Sequence, residues 1–212
     1  VRTQMISIID YKMGNTRSVF NAFKLLGENV EITNEKDRLT QAEAIVLPGV
    51  GSFNDGMKDL NQNGLKEFLT EEIIDRKKPY LGICLGLEFL AKRSYEGGVC
   101  DGFGWIDSEI VKLQPSEKQN KVPHMGWNDT EIVKEHGLMK DFTEAVFYYL
   151  HSFHMKINNS EKEVITSKCN YGGIGIVSSI QKNNIYAVQF HPEKSQENGL
   201  KLLKNFLEDI RK

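Results

Sequence analysis

Three short apolar runs separated by helical periodicity constrain the fold of this chain more than any other feature. Residues 6–9 end at Asp10, residues 44–47 are closed by Pro48-Gly49, and residues 80–83 lead straight into a helical stretch. Between the first two, Val19, Phe23 and Leu26 recur at helical spacing, with Asn15 placed to cap the helix and Gly27 to stop it. Before the third, Leu65, Phe68, Leu69, Ile73 and Ile74 share one helical stripe. A short run that is apolar throughout reads as a strand buried on both faces, and strands so buried are covered by crossover helices. The first half therefore predicts a parallel, doubly wound α/β sheet with helices on both faces. The helix after residue 83 is expected to continue to about Lys92.

The second half changes character. Residues 110–113, 130–133, 145–148, 163–166 and 185–188 read as strands divided by turn residues, with few helices between them. This predicts an antiparallel extension of the sheet. A closing helix from about Gln196 places Leu200, Leu203, Phe206, Leu207 and Ile210 on its buried stripe. In open sheets of this kind a site lies at the carboxyl ends of the parallel strands.

Composition narrows the function classes. With 40% hydrophobic and 26% charged residues, 18 Gly and 5 Pro, the chain is neither collagenous nor disordered. Its 27 basic and 29 acidic residues leave a net charge of −2, which gives no electrostatic footprint for nucleic acid or an anionic membrane. No apolar run approaches the roughly 20 residues that span a bilayer, and no signal-peptide pattern opens the chain, so a cytoplasmic location is expected. Val1, Arg2, Thr3 and Gln4 precede Met5 without pattern, and Met5 is the expected natural start of a single domain over 5–212. Three cysteines with no CxxC pair argue against a disulfide framework and a zinc ribbon.

The sharpest local feature is Gly82-Ile83-Cys84-Leu85-Gly86. An apolar strand runs in and a helix runs out, the pattern of a nucleophile elbow with cysteine in place of serine. The glycines permit the tight turn, and the helix N-terminus favours a thiolate and offers N–H groups to an oxyanion. A buried core cysteine between packing glycines is the competing reading. A base is available in Gln189-Phe190-His191-Pro192-Glu193, where His191 follows a strand and Glu193 can orient its imidazole. Alone, that segment could be a surface turn. Pro48-Gly49-Val50-Gly51 lacks the further glycine of a dinucleotide loop and any following Gly-Lys-Ser/Thr, which excludes nucleotide binding, but it can present an N–H beside the thiol. His124, His151 and His154 lack metal-ligand spacing and a carboxylate or cysteine partner nearby, so no metal site is read from them.

Together these segments resemble the triad-type (class I) glutamine amidotransferases. Ile9-Asp10-Tyr11 with Gly14-Asn15, Val122-Pro123-His124-Met125-Gly126-Trp127-Asn128 and Tyr148-Tyr149-Leu150-His151-Ser152 narrow the resemblance to the glutaminase subunits of imidazole glycerol phosphate synthase. The resemblance runs nearly the whole chain from Met5 and implies a flavodoxin-like α/β fold. It implies that Cys84 attacks the side-chain amide of glutamine, His191 shuttles protons and Glu193 supports it. It places the oxyanion on backbone N–H groups of Leu85 and of Val50 or Gly51, the latter donor turning in when partner and ligand bind. Gly51, Glu88, Ser152 and Phe153 fall at substrate positions. Asn15, Trp127, Tyr148 and Lys194 fall at the interface with a (β/α)8 cyclase subunit, which receives the ammonia in a heterodimer. No cofactor, metal, nucleic acid or membrane is implied.

One position departs. The family pattern after the elbow is Cys-x-Gly-x-Gln, and here Glu88 stands in place of the glutamine. An ionised carboxylate can accept from an α-ammonium but cannot donate to an α-carboxylate, and its charge opposes a nearby thiolate. A surface pair with Lys92, four residues on, is the alternative for Glu88. The segment Tyr171-Gly172-Gly173-Ile174-Gly175-Ile176 is also unusual for the family. Both features keep open a paralogous subunit that supplies ammonia to a sugar-aminating enzyme of surface polysaccharide synthesis. A non-catalytic subunit and a partner-free γ-glutamyl peptidase are more distant alternatives.

Overall fold

The structure is a computed structural model that describes residues 4–117 and 119–212. Val1, Arg2 and Thr3, most of the segment expected ahead of Met5, lie outside them. The first half alternates as expected: β1 (Met5–Ile9), α1 (Thr16–Leu25), β2 (Asn29–Thr33), α2 (Lys36–Gln41), β3 (Ala44–Gly49), α3 (Phe53–Gln62), α4 (Leu65–Thr70), β4 (Tyr80–Cys84) and α5 (Leu85–Glu88). The second half holds β5 (Arg93–Ser94), β6 (Cys100–Asp101), β7 (Ser108–Lys112), β8 (His124–Asp129), β9 (Glu131–Ile132), β10 (Val146–His151), β11 (Phe153–Ile157), β12 (Ile165–Tyr171), β13 (Ile174–Lys182) and β14 (Ile185–Val188), and α6 (Gln196–Ile210) closes it.

The main sheet has the order β2-β1-β3-β4-β14-β13-β12-β9. Strands β2, β1, β3, β4 and β14 run parallel. Strands β13, β12 and β9 extend the sheet antiparallel. Two smaller units stand beside it, the antiparallel pair β10-β8 and the mixed β11-β7-β5-β6, in which β5 runs parallel to β7. Every residue of β3, β4 and β14 is buried, because an apolar cluster lies on each face of the sheet. Leu202, Leu203, Phe206 and Leu207 of α6 are buried in one of these clusters, each worth roughly 1.5–3 kcal/mol. The strand order reverses between β1 and β3, and the carboxyl ends of β1, β3, β4 and β14 lie along one side of the sheet.

Three local expectations need correction. The helix after the elbow does not reach Lys92 but ends at Glu88. The carbonyls of Phe89, Leu90 and Ala91 are taken by the N–H groups of Phe103, Ile106 and Gly104, so the chain turns to meet residues 102–106 instead of continuing its own ladder. Asn15 occupies the cap position of α1, yet its Oδ1 accepts from the Ser18 hydroxyl at 2.8 Å and not from a backbone N–H. The strand expected over 163–166 begins only at Ile165, after a 3-10 turn over Asn159–Val164. The unusual 171–176 segment is the hairpin turn between β12 and β13. Gly172 and Gly173 have φ of +57° and +80°, the positive pair that a tight two-residue turn demands.

Candidate active site

The elbow is built by close packing. Cys84 ends β4 with φ +54° and ψ −105°, a region that costs an L-residue ~1–3 kcal/mol and persists only where its surroundings force it. Gly82 and Gly86 supply the force. A Cβ on Gly86 would lie 1.9 Å from the Leu47 carbonyl oxygen, and one on Gly82 would lie 2.5 Å from the Gly86 oxygen. No other residue lets the turn fold this tightly against β3. Cys84 is 5% exposed. Its Sγ lies 3.7 Å from the Leu150 oxygen and 3.9 Å from Gln189 Nε2.

His191 is brought to the elbow by β14, which pairs with β4 in parallel register. The Gln189 N–H donates to the Ser178 carbonyl and the His191 N–H to the Tyr148 carbonyl, both at 2.8 Å, so the turn after β14 is pinned from two strands. His191 Nδ1 lies 2.9 Å from Glu193 Oε1, and both side chains are buried. Nε2 is buried and makes no protein hydrogen bond of ordinary geometry. Burial opposes charge on this imidazole, but the adjacent Cys84 sulfur, and then Glu193, outweigh it and push its pKa up to about 10. A thiol, an imidazole and an orienting carboxylate in this order can form and protect a nucleophile.

A cavity of about 230 Å³ opens over the sulfur, lined by Val50, Gly51, Cys84, Leu85, Glu88, Glu96, Pro123 and the segment Leu150, His151, Ser152, Phe153. Gly49 pairs with Cys84 across the sheet, so the chain that leaves β3 passes beside the elbow as Val50 and Gly51. Gly51 has φ +107°, and both residues are exposed. The cavity thus gathers Cys84 and all the expected oxyanion and substrate positions. His191 and Glu193 stand behind the sulfur.

Glu88 faces inward. It is 5% exposed, lines the cavity, and its Oε1 accepts from Gln189 Nε2 at 3.0 Å. Burial pushes its pKa up to about 8; the Gln189 bond opposes this and the Glu96 charge adds to it. The surface pair with Lys92 does not form. Once α5 ends at Glu88, Lys92 belongs to another segment and its Nζ lies 2.7 Å from Asp107. Burial thus weakens the negative charge expected beside the thiol, by holding the Glu88 carboxyl toward its neutral form.

Two groups escaped the sequence reading. Glu96 lies in the loop after β5, where its Oε2 accepts from the Phe53 N–H at 2.7 Å and its carbonyl accepts from Asn54 Nδ2 at 2.8 Å. No local pattern marks it, because its place in the cavity comes from the β5–β6 turn meeting the start of α3. The other is a chain of buried histidines. His151 Nδ1 lies 2.7 Å from the Phe153 carbonyl, His151 Nε2 lies 3.0 Å from His124 Nδ1, and His124 Nε2 lies 3.2 Å from Asn128 Nδ2, which also donates to the Asn170 carbonyl. The ends fix the tautomers. The carbonyl requires a proton on His151 Nδ1, so His124 Nδ1 must donate to His151 and His124 Nε2 must accept from Asn128. Both rings are neutral, and burial holds them down to about 4 for His124 and, against the Phe153 bond, about 3 for His151. His124 is stacked between Tyr149 and Tyr171.

The interface positions also gather at this edge. Trp127, 49% exposed, stands edge-on to Tyr148 at 6.1 Å, and Lys194 Nζ lies 5.6 Å above the Tyr148 ring. Asn15 opens α1, which packs against the turn that carries Lys194. Among the described residues no helix is long and apolar enough to cross a membrane.

The family model for class-I glutamine amidotransferases matches residues 7–210. Imidazole glycerol phosphate synthase subunit HisH 1 of Campylobacter jejuni (strain RM1221) is 47% identical over 205 residues, covering 96% of this chain and 99% of the relative. Subunit HisH of Methanothermobacter thermautotrophicus is 42% identical over 207 residues, covering 98% and 100%. Among solved structures, PurLQS from Thermotoga maritima shares the fold with a TM-score of 0.72 at 16% identity, covering 97% of this chain and 98% of that one. With family model and relatives both spanning nearly its full length, the chain belongs to the class-I glutamine amidotransferases, among the HisH subunits of imidazole glycerol phosphate synthase.

Proposed function

We propose that this chain hydrolyses glutamine to glutamate and ammonia through a cysteine thioester, and passes the ammonia to a (β/α)8 cyclase subunit that forms imidazole glycerol phosphate and an aminoimidazole carboxamide ribonucleotide in histidine biosynthesis. One observation carries the reading: a strained, buried Cys84, backed by the His191–Glu193 pair, opens onto a cavity of about 230 Å³. The relatives in the HisH family agree with it. Residues 5–212 act as one amidotransferase domain in the cytoplasm.

In this mechanism His191 Nε2 takes the Cys84 thiol proton, and the sulfur, left negative beside the imidazolium, attacks the side-chain amide carbon. The negative oxygen of the tetrahedral intermediate is met by the Leu85 N–H and, once the loop turns inward, by that of Val50 or Gly51. Loss of one such donor typically costs ~2.7–4 kcal/mol of transition-state stabilisation. His191 then gives its proton to the departing nitrogen and ammonia leaves. Water, deprotonated by the same imidazole, cleaves the thioester to glutamate and restores the thiol. Glu193 holds the ring in one tautomer and balances its charge throughout. Ser152 and Phe153 border the amino-acid end of the substrate. Trp127, Tyr148, Lys194 and Asn15 form the face on which the cyclase docks. No cofactor is needed, because every step is a proton or acyl transfer.

A chloroketone analogue of glutamine, added with the cyclase subunit and its ligand present, tests the assignment. Peptide mapping is expected to find the label on Cys84 alone and to find it blocked by glutamine. Label on Cys100 or Cys169, unaffected by glutamine, overturns it. A sugar-aminating partner would leave this chemistry unchanged, and co-purification from the native cell separates the two acceptors.

A further inference from the structure

Glu88 is a buried acid with no lysine or arginine beside it among the described residues that line the cavity. The groups that face Glu88 come from every element packed around it: Cys84 from β4, Tyr11 after β1, Glu96 after β5, and Gln189 and His191 after β14, with His151 on the far wall. Glu96 raises the cost of a negative charge at Glu88. His191 lowers it, but Glu193 holds that imidazole on its other side. Gln189 can satisfy only one oxygen, by donating Nε2–H to Oε1. In the neutral acid Oε1 is the carbonyl oxygen that accepts this bond, and Oε2 carries the proton.

We propose that Glu88 works in this pocket as a neutral carboxylic acid whose O–H donates to the α-carboxylate of the amino-acid substrate, doing with a hydroxyl what an amide N–H would do at that place. The inference rests on the glutamine reading. A zwitterionic substrate needs a donor at one end and an acceptor at the other. The Glu96 carboxylate, held by the Phe53 N–H through only one of its oxygens, supplies an acceptor in the same cavity. Two ionised carboxylates would leave the substrate's own carboxylate facing like charge; a protonated Glu88 removes the conflict. The burial that holds Glu88 neutral up to about pH 8 sets the range in which this donor exists.

The sign follows from the chemistry. Below pH 8 the donor is present. Above it the proton is lost and the site turns from donor to repeller, so the KM for glutamine rises by roughly tenfold per pH unit if only the protonated form binds. Glutamine's own ammonium also titrates at high pH, and a ratio to a variant cancels that contribution. The experiment measures KM for glutamine from pH 6.5 to 9.5 for the wild type and Glu88→Gln, each with the cyclase subunit and its ligand. The ratio of wild-type to variant KM is expected to be flat below pH 7.5 and to climb about tenfold by pH 9. A ratio that stays constant across the range overturns the proposal.

Infrared difference spectra of the same two proteins, wild type minus Glu88→Gln, supply a readout independent of turnover. A carboxylic-acid C=O band is expected at pH 7 and is expected to vanish by pH 9.5; only a carboxylate band at pH 7 overturns the proposal. If the variant does not fold, the wild-type protein titrated alone, with glutamate carboxyls isotopically labelled, gives the same reading. Absence of any glutaminase activity in the wild type, with the acid band present, would sink the glutamine reading and not the protonation state of Glu88.

Discussion

The two walls of the cavity are built in opposite ways. The wall formed by β4 and α5 is buried from Tyr80 to Glu88, and the packing of Gly82 and Gly86 holds Cys84 in a conformation it would not choose. The wall formed by Val50 and Gly51 is exposed. Its Gly51, at φ +107°, is met only by the tip of a methionine, Met13 Cε, at 2.7 Å from where a Cβ would lie. The nucleophile is thus preorganised by the fold, whereas the second oxyanion donor of the proposed mechanism would come from an exposed segment that ends in a glycine at positive φ. Such a division lets a partner govern hydrolysis without disturbing the cysteine.

The largest effect that would sharpen this comparison is on the rigid wall. Gly86→Ala drives a Cβ into the Leu47 backbone, where nothing flexible can yield. It is expected to cost about 3 kcal/mol or more, read as a shift in the denaturation midpoint. A loss below 1 kcal/mol would show that the elbow is less constrained than the packing implies. On the exposed wall, Gly51→Ala strains the backbone at φ +107° and is expected to cost roughly 1–3 kcal/mol, less than Gly86→Ala because only the flexible tip of Met13 meets the new Cβ. It should lower partner-stimulated hydrolysis by roughly 10²-fold, the effect of losing one oxyanion donor. Equal losses of stability from the two substitutions would erase the contrast.

A smaller effect is expected at the buried histidines, which tie the exposed strand β8 to the cavity. His124→Leu leaves His151 Nε2 without its donor, at a cost of roughly 1–3 kcal/mol. It should raise the KM for glutamine several-fold with little change in kcat, because His151 bonds the segment that borders the substrate. The two depressed pKa values give stability that is fully present above the unfolded histidine value, near 6.5, and is lost as pH falls toward about 4 and 3. His124→Leu should therefore flatten the acid limb of the stability profile. Another effect belongs to Glu88 and shows only as a pH dependence. Its raised pKa gives stability that is full below pH 4.5 and is lost as pH rises through about 8. The wild-type melting temperature should fall relative to that of Glu88→Gln between pH 5 and 8.5.

What could be read from the sequence divides along a similar line. Cys84, with its flanking glycines, and His191 with Glu193 are legible because each cluster lies within five residues of chain. The parallel strands are legible because burial on both faces leaves them apolar throughout. Strand β13 is not, because Ser178 and Ser179 lie buried in it and break the apolar run. Their hydroxyls are satisfied by Tyr149 of β10 and by Thr166 and Ser167 of the neighbouring β12, partners that no local spacing reveals. Glu96 and the Gln189–Glu88 bond are hidden for the same reason. The length of α5 is set by competition from residues 102–106, a contact between segments.

The central claim is that Cys84 alone releases ammonia, and one experiment addresses it directly. Glutamate release from glutamine, and product formation from added ammonium salts, are measured for the wild type, Cys84→Ala and Cys169→Ala with the cyclase subunit and its ligand. Cys84→Ala is expected to lose glutamate release by about 10⁴-fold or more while retaining synthesis from ammonium, and Cys169→Ala to retain both. Glutamate release that persists in Cys84→Ala, or that disappears in a folded Cys169→Ala protein, would contradict the account.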